Sequence, residues 1–430
     1  MNESWIDPVK PEELALLRHE IHRWPEPGWA EFASTARAVE RLEREGFKVR
    51  CGAEFVKPES VMGAIPREVE AALADAKRLG VSEALLARMG GLTGVVAEFD
   101  TGRAGPTVAI RCELDCVCVD ETKDPAHRPN AGGWASERPG YMHACGHDGH
   151  QAVMLNLARW VRANADRLSG RIKLIMEPGE EGSRGGRPFA ESGVVDDVDF
   201  FYALHVGCDV PAGTVIVAPE KFLCTTKADL FFKGSPSHAG MQPEVGRNAL
   251  LAASTAALAL MALPRHGSGM TRVNVGWMQA GEGRNVVPAS AEMRIEVRGE
   301  TEAINALMYR EAVRRAEGAA AMYGCTAECL VKGEALDFKA DPEAVEAAEA
   351  AAKDAPYVER VEHYMNFNGS DDATVLVKRV QARGGRATYI VVGSTLEAGH
   401  HQAAFDFEEK HLETLYAIEK ALLRRHCARN

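Results

Sequence analysis

ADLFFKG at 228–234, RNALLAASTAALALMAL at 247–263, TRVNVGWM at 271–278, ASAEMRIEVRG at 289–299, EAINALMYREAVRRAEGAAAMYG at 302–324 and TAECLVKG at 326–333 decide the fold. Period-two and period-3.6 patterns alternate along them, giving strand, helix, strand, strand, helix, strand. That order is the split β-α-β arrangement of a ferredoxin-like α+β domain. Outward from it, on both sides, short apolar runs alternate with helical patterns: TGVVAEF (93–99), TVAIR (107–111), RIKLIM (171–176), DFFYALH (199–205) and ATYIVVG (387–393). The flanks therefore read as an α/β domain with buried strands. The expected architecture is a discontinuous larger α/β domain, 1–222 with 333–430, interrupted by a complete smaller domain at 223–332.

Two helical stretches lie near the start, PEELALLRHEIHRW before Pro25-Glu26-Pro27-Gly28 and ASTARAVERLEREG before Phe47. Residues 57–92 are rich in Ala, Leu and Glu and read as a helical insertion between the first strands. A chain of 430 residues exceeds one ordinary domain. A net charge of -12, without a Lys/Arg run, argues against nucleic acid as a partner. The acidic start MNESWIDPVKPEELALL lacks the regions of a signal peptide, and no apolar run approaches membrane-spanning length, so a cytoplasmic protein away from membranes is expected. Ten cysteines scattered from Cys51 to Cys427 fit reduced, mostly buried thiols. Cys145 is the exception.

HACGHDGH, from His143 to His150, puts one thiol and several imidazoles just before an apolar helix, a donor set for a borderline divalent metal. The same residues also suit a helix N-terminus capped by Asp148. EPGEEG (177–182) follows the strand RIKLIM. Adjacent carboxylates point apart, so one can hold a metal while the other takes a proton, although a solvated turn has the same composition. Position adds to this: His205 ends one strand, Glu180 and Glu181 follow another, and His400 and His401 follow a third. Sites in open α/β sheets form beyond the carboxyl ends of the strands.

These segments, with RHEIHRWPEPGWAE, YALHV, PSHAG, GRNVVPASAEMRIEVRG, GSDDAT and GHHQAAFDFEE, resemble the M20 peptidase/amidohydrolase family over essentially the whole length. HRP near His127, VVDDVD and the His400-His401 pair are most similar to the aminobenzoyl-glutamate hydrolase A-subunit group. The resemblance implies a mixed-sheet hydrolase with two divalent metal ions, manganese or zinc. It implies Cys145, His147, Glu181, His205 and His401 as ligands and Glu180 as the general base for a metal-activated water. His401 is preferred to His400 because the family's terminal ligand lies four residues before the Phe matched by Phe405. By the same resemblance His238 steadies the developing oxyanion, commonly from a dimer partner, while Asn285 and Arg298 match substrate-binding lid positions. His400 is left as a substrate or supporting contact, and Asp148 and His150 as structural neighbours.

Three positions depart from the family pattern: Glu113 in Glu113-Leu114-Asp115, Glu177 where a Gln is usual, and Asp371 in Asp371-Asp372. An inward-facing Glu177 would discourage an anionic substrate. The implied reaction is hydrolysis of the amide in an N-aroyl or N-acyl amino acid, aminobenzoyl-glutamate-like. Hydrolytic deamination of an activated aromatic amine is the alternative chemistry, and a non-catalytic role in a larger assembly the alternative class. The expected partners are a small molecule with an aromatic or acyl group and a second copy in a homodimer or higher homo-oligomer. A heteromeric partner stays open.

Overall fold

The computed structural model describes residues 5–429. The chain divides into two compact units, Met1–Glu220 with Phe338–Phe367 and Asp372–Asn430, and Lys221–Asp337 with Asn368–Asp371. Among the described residues, twelve strands form two sheets: β1 Lys48–Cys51, β2 Val95–Asp100, β3 Thr107–Glu113, β4 Arg171–Glu177, β5 Phe200–Val206, β6 Thr214–Ile216, β7 Cys224–Lys233, β8 Thr271–Ala280, β9 Ser290–Gly299, β10 Thr326–Ala335, β11 Arg360–Glu362 and β12 Arg386–Val392.

The first unit holds an eight-stranded mixed sheet, ordered β1-β2-β4-β3-β5-β12-β6-β11. Its central strands β4, β3, β5 and β12 run parallel, while β1, β2 and β6 add antiparallel pairings. All seven residues of β3 are buried, as are the last six of β4, β5 and β12. Strands covered on both faces need continuous rather than alternating apolar character, which is how TVAIR and ATYIVVG read. Helices Pro66–Arg78 and Glu83–Met89 occupy the Ala/Leu/Glu-rich stretch between β1 and β2. Among the described residues, no helix is long and apolar enough to cross a membrane.

The second unit is a four-stranded antiparallel sheet, β10-β7-β9-β8, the strand order of the ferredoxin-like motif. Burial alternates along β7 and β9 because one face is covered and the other is not. The covered face carries Leu230, Phe232, Met293, Ile295 and Val297 against Ala252, Ala253, Ala256, Ala312 and Ala316 of helices Ala249–Met261 and Glu302–Met322. Alanine at these helix positions lets backbone and sheet approach closely. Side chains of Asn248 and Thr301 accept the N–H of Leu251 and Ile304, closing the helix starts.

The unit boundaries fall at 220/221 and 337/338 rather than 222/223 and 332/333, and Asn368–Asp371 join the second unit. The reason lies in β10. A register shift between Val331 and Gly333 lets its pairing with β7 continue to Ala335, past the glycine where the apolar pattern stops. Leu230 is fully buried in the second unit's core. Leu230→Ala is expected to cost about 2–5 kcal/mol, read as a lower urea midpoint in the unfolding transition.

Candidate metal centre

Because β4, β3, β5 and β12 are parallel, their carboxyl ends share one edge of the sheet. Glu113 and Glu177 are register partners at that edge, and His205 on β5 stands opposite Val391 on β12. The loop after β4 turns at Gly179 (φ 70°), whose N–H donates to Glu31 Oε1 at 2.8 Å, and it delivers Glu180 and Glu181. Helix His147–Ala163 starts at the same edge from Gly146, φ 97°. A Cβ at Gly146 would stand 2.7 Å from Val206 Cγ1, so the HACGH turn needs glycine both for its conformation and for its closeness to β5. The loop after β12 returns with His401 N–H donating to Ala144 O at 2.8 Å.

Donor atoms of Cys145, His147 and His205 lie within 4.8 Å of one another, as do those of Cys145, Glu181 and His401. Cys145 is common to both sets. Glu180 joins His147 and Glu181 in a third. Two ring tautomers are set by neighbours: His147 Nδ1–H donates to Asp115 O (2.9 Å) and His205 Nδ1–H to Val206 O (2.8 Å), which leaves each Nε2 as the unprotonated nitrogen of a neutral ring. His147 Nε2 is buried without a hydrogen-bond partner, 3.7 Å from Glu180 and 3.9 Å from Glu181. Those separations exceed a hydrogen bond and fit groups that would share an ion. His401 Nε2 meets Glu181 Oε2 at 3.1 Å, and its side chain is 52% exposed.

The donor set suits a divalent cation. Burial and the nearby Glu181 push the Cys145 thiol well above its ordinary range, against the opposing pull of His147. Burial and His150 hold His205 well below the usual imidazole value, in the neutral form that coordinates. Thiolate, imidazole and carboxylate together accept zinc, manganese or cobalt.

Arg111 lies under the site, fully buried. Its Nε contacts Glu177 Oε2 at 2.6 Å, Nη1 contacts Glu113, and Nη2 reaches Asp372 Oδ1 at 3.3 Å. His150 Nδ1 also meets Glu113 Oε2 at 2.7 Å, and His150 Nε2 accepts the N–H of Val206. Burial opposes the charge on Glu113, but Arg111 and His150 hold it well below the ordinary carboxylate value. The two departures Glu113 and Glu177 are thus bound to an internal cation. Arg111 was not singled out in the sequence, although residues 111 and 113 share a strand face and two charges there in a buried strand were the available signal.

Three expected site residues are in the second unit. His238 is exposed, bridges to Val286, and accepts the N–H of Gly240 (3.2 Å) and Met241 (3.1 Å) on Nδ1. A neutral ring so held carries its proton on Nε2, as a donor. Asn285 adjoins it, accepting Ala239 N–H on its main-chain oxygen. Arg298 is gripped by Glu296 at 2.9 and 3.0 Å. His400, expected as a substrate contact, has both ring nitrogens engaged inside the first unit, Nε2 by Cys208 N–H (2.9 Å) and Nδ1 near Cys145 Sγ (3.5 Å). The reason is a turn at Gly207–Asp209 that presents backbone N–H to the ring.

The pattern of Peptidase family M20/M25/M40 matches residues 109–425. The chain belongs to that family. It is therefore a metal-dependent amidohydrolase acting on a C–N bond. It is 44% identical over 414 residues to an A-subunit homolog of p-aminobenzoyl-glutamate hydrolase from Haemophilus influenzae, covering 96% of this chain and 98% of the relative. It is 46% identical over 401 residues to the indole-3-acetyl-aspartic acid hydrolase of Enterobacter agglomerans, covering 92% of each. The crystal structure of an aminobenzoyl-glutamate utilization protein from Klebsiella pneumoniae superposes with a TM-score of 0.80 at 39% identity, covering 96% of this chain and 95% of that one.

Behind the metal loop, Asp148 accepts Arg18 Nε (3.0 Å) and His22 Nδ1 (2.8 Å), and His22 Nε2 meets Glu121 at 3.1 Å. Burial opposes the charge on His22, but these carboxylates raise it to about 9 from 6.5. A raised folded-state value contributes stability that is complete below the unfolded value and lost as pH climbs through the folded one. Urea unfolding across pH should therefore show stability falling between about 6.5 and 9, with a shallower fall in His22→Gln. Arg111→Met removes the cation shared by Glu113, Glu177 and Asp372 and is expected to cost about 3–5 kcal/mol in the same measurement.

Proposed function

We propose that this enzyme hydrolyses the amide bond between an aromatic acyl group and an acidic amino acid. The observation that carries the reading is the pair of donor sets sharing Cys145, with the carboxylate of Glu180 beside them. Two relatives support the substrate class, since their names pair an aromatic acyl group with glutamate in one case and aspartate in the other. Cys145, His147, Glu181, His205 and His401 would hold two divalent ions, manganese or zinc. When bound, the ions supply Lewis acidity to the scissile carbonyl and to water.

Both carboxylates approach His147, but Glu181 also meets His401 at 3.1 Å, which makes Glu181 the ligand and Glu180 the base in this reading. Glu180 accepts the proton of the attacking water and returns it to the leaving amine. From the second unit, His238 offers its Nε2–H to the developing oxyanion. Asn285 and Arg298 take the substrate carboxylates, Arg298 by exchanging Glu296 for the ligand.

A homodimer through the second unit completes the reading. Leu251, Leu258 and Met261 are exposed along helix Ala249–Met261, and edge strand β8 exposes Trp277 and Met278. An exposed apolar edge strand is a surface for strand pairing. Two relatives are named as one subunit of a hydrolase, which keeps a heteromeric partner as an outcome to be tested. Ten free cysteines support a reducing, cytoplasmic setting.

The test is a product assay by mass spectrometry on metal-reconstituted protein, with aroyl-glutamate and free aromatic amines as separate substrates. The expected outcome is glutamate release, lost on chelation, restored by manganese or zinc, and lowered by about 10²–10⁴ in Glu180→Gln. Ammonia from the ring amine would replace this reading with deamination. Inactivity on both would point to a non-catalytic role beside another chain.

A further inference from the structure

Positions 400 and 401 are adjacent imidazoles with opposite surroundings. His401 goes to Glu181, at 3.1 Å. His400 turns the other way, into a socket whose walls fix its protons. Its Nε2 accepts the N–H of Cys208 at 2.9 Å. A ring nitrogen that accepts from a backbone N–H carries no proton, so the ring's one proton is on Nδ1. Nδ1 lies 3.5 Å from Cys145 Sγ, a distance suited to an N–H···S bond.

The socket leaves the ring little freedom. Gly207, Cys208 and Asp209 take φ values of 84°, 50° and 58°, three successive left-handed residues that turn the Cys208 N–H inward. A Cβ at Gly207 would stand 2.7 Å from His400 Nε2, so the ring rests directly on that glycine. Phe405 lies on the ring at a centroid distance of 4.9 Å, and the His205 ring at 5.6 Å. Two non-glycine residues held in the left-handed region cost free energy, and what their conformation presents to His400 is one backbone donor.

We infer that His400 is a positioning residue for the metal centre: it donates Nδ1–H to the Cys145 sulfur, orients that sulfur, and draws electron density from it. The inference deepens the proposed function and rests on Cys145 being a ligand. The sulfur is the one donor common to both sets, so a hydrogen bond to it acts on both at once. His400 itself is kept from coordinating, because Nε2 is occupied and Nδ1 is protonated. Groups that hold a ligand from behind commonly set metal affinity.

The test uses Co²⁺ bound to the full-length protein and reads the sulfur-to-cobalt charge-transfer band in the near ultraviolet. An N–H···S bond lowers the energy of the sulfur electrons, so losing it moves the band to longer wavelength. His400→Leu is expected to shift the band that way and to weaken Co²⁺ binding by roughly 10–100-fold in chelator competition. His400→Asn, whose amide N–H occupies the place of Nδ1–H, is expected to return both towards wild type. If His400→Leu does not fold, His400→Ala gives the same reading with a smaller side chain. Cys145→Ala should abolish the band. A band absent from wild type, or retained in Cys145→Ala, overturns the ligand assignment and this inference together. A band lost in Cys145→Ala but unmoved by removal of the imidazole overturns the inference alone.

Discussion

Strands that run in the same direction end on the same side of their sheet, and this centre depends on that constraint. β4, β3, β5 and β12 lie side by side and parallel, so four segments far apart in the chain deliver their last residues to one edge. The cost is charge in a low-dielectric place. Glu113, Glu177 and Asp372 are completely buried there, and carboxylates so placed need a cation within hydrogen-bonding reach. Arg111 supplies it from inside β3, two residues before the strand ends. The edge is polar because its charge is answered from below, while the donors above it are left to face an ion.

The positions of Glu180 and Glu181 follow from the same local geometry. A left-handed glycine at 179 and a single turn of tight helix at Glu180–Gly182 bring both side chains to His147, and Glu181 to His401 as well. Asp115 connects the two loops: its main-chain oxygen receives His147 Nδ1–H and its side chain receives the Glu181 N–H. One residue thus holds a member of the donor cluster on each of two segments. Such supporting contacts distinguish a preorganised site from residues that are merely close.

Much of this was legible in the sequence because it depends on patterns that a chain displays linearly. Long buried strands appear as apolar runs, and donor residues after those runs appear as HACGHDGH, EPGEEG, YALH and GHH. The split β-α-β order of the second unit was legible for the same reason. Strands β1, β6 and β11, of four, three and three residues, are too short to produce a pattern. The link between Arg111 and Glu177 was hidden because it crosses between neighbouring strands, and pairing partners are not written in either one. The inward turn of His400 was hidden too, because it depends on φ at Cys208 and Asp209, and non-glycine residues give little notice of a left-handed backbone.

The place of β12 in the sheet has a consequence for how the molecule is made. It lies between β5 and β6, and β6 pairs only with β12 and β11 among the described residues. A growing chain on the ribosome exposes β5 and β6 long before β12 exists, and the second unit is synthesised in the interval. The sheet therefore waits, with an open edge beside β5, until the second unit and then β12 have emerged. His401 comes after β12. A donor cluster that includes His401 cannot assemble before this loop has been made, so a product stalled ahead of it carries the conspicuous HACGHDGH loop without that neighbour.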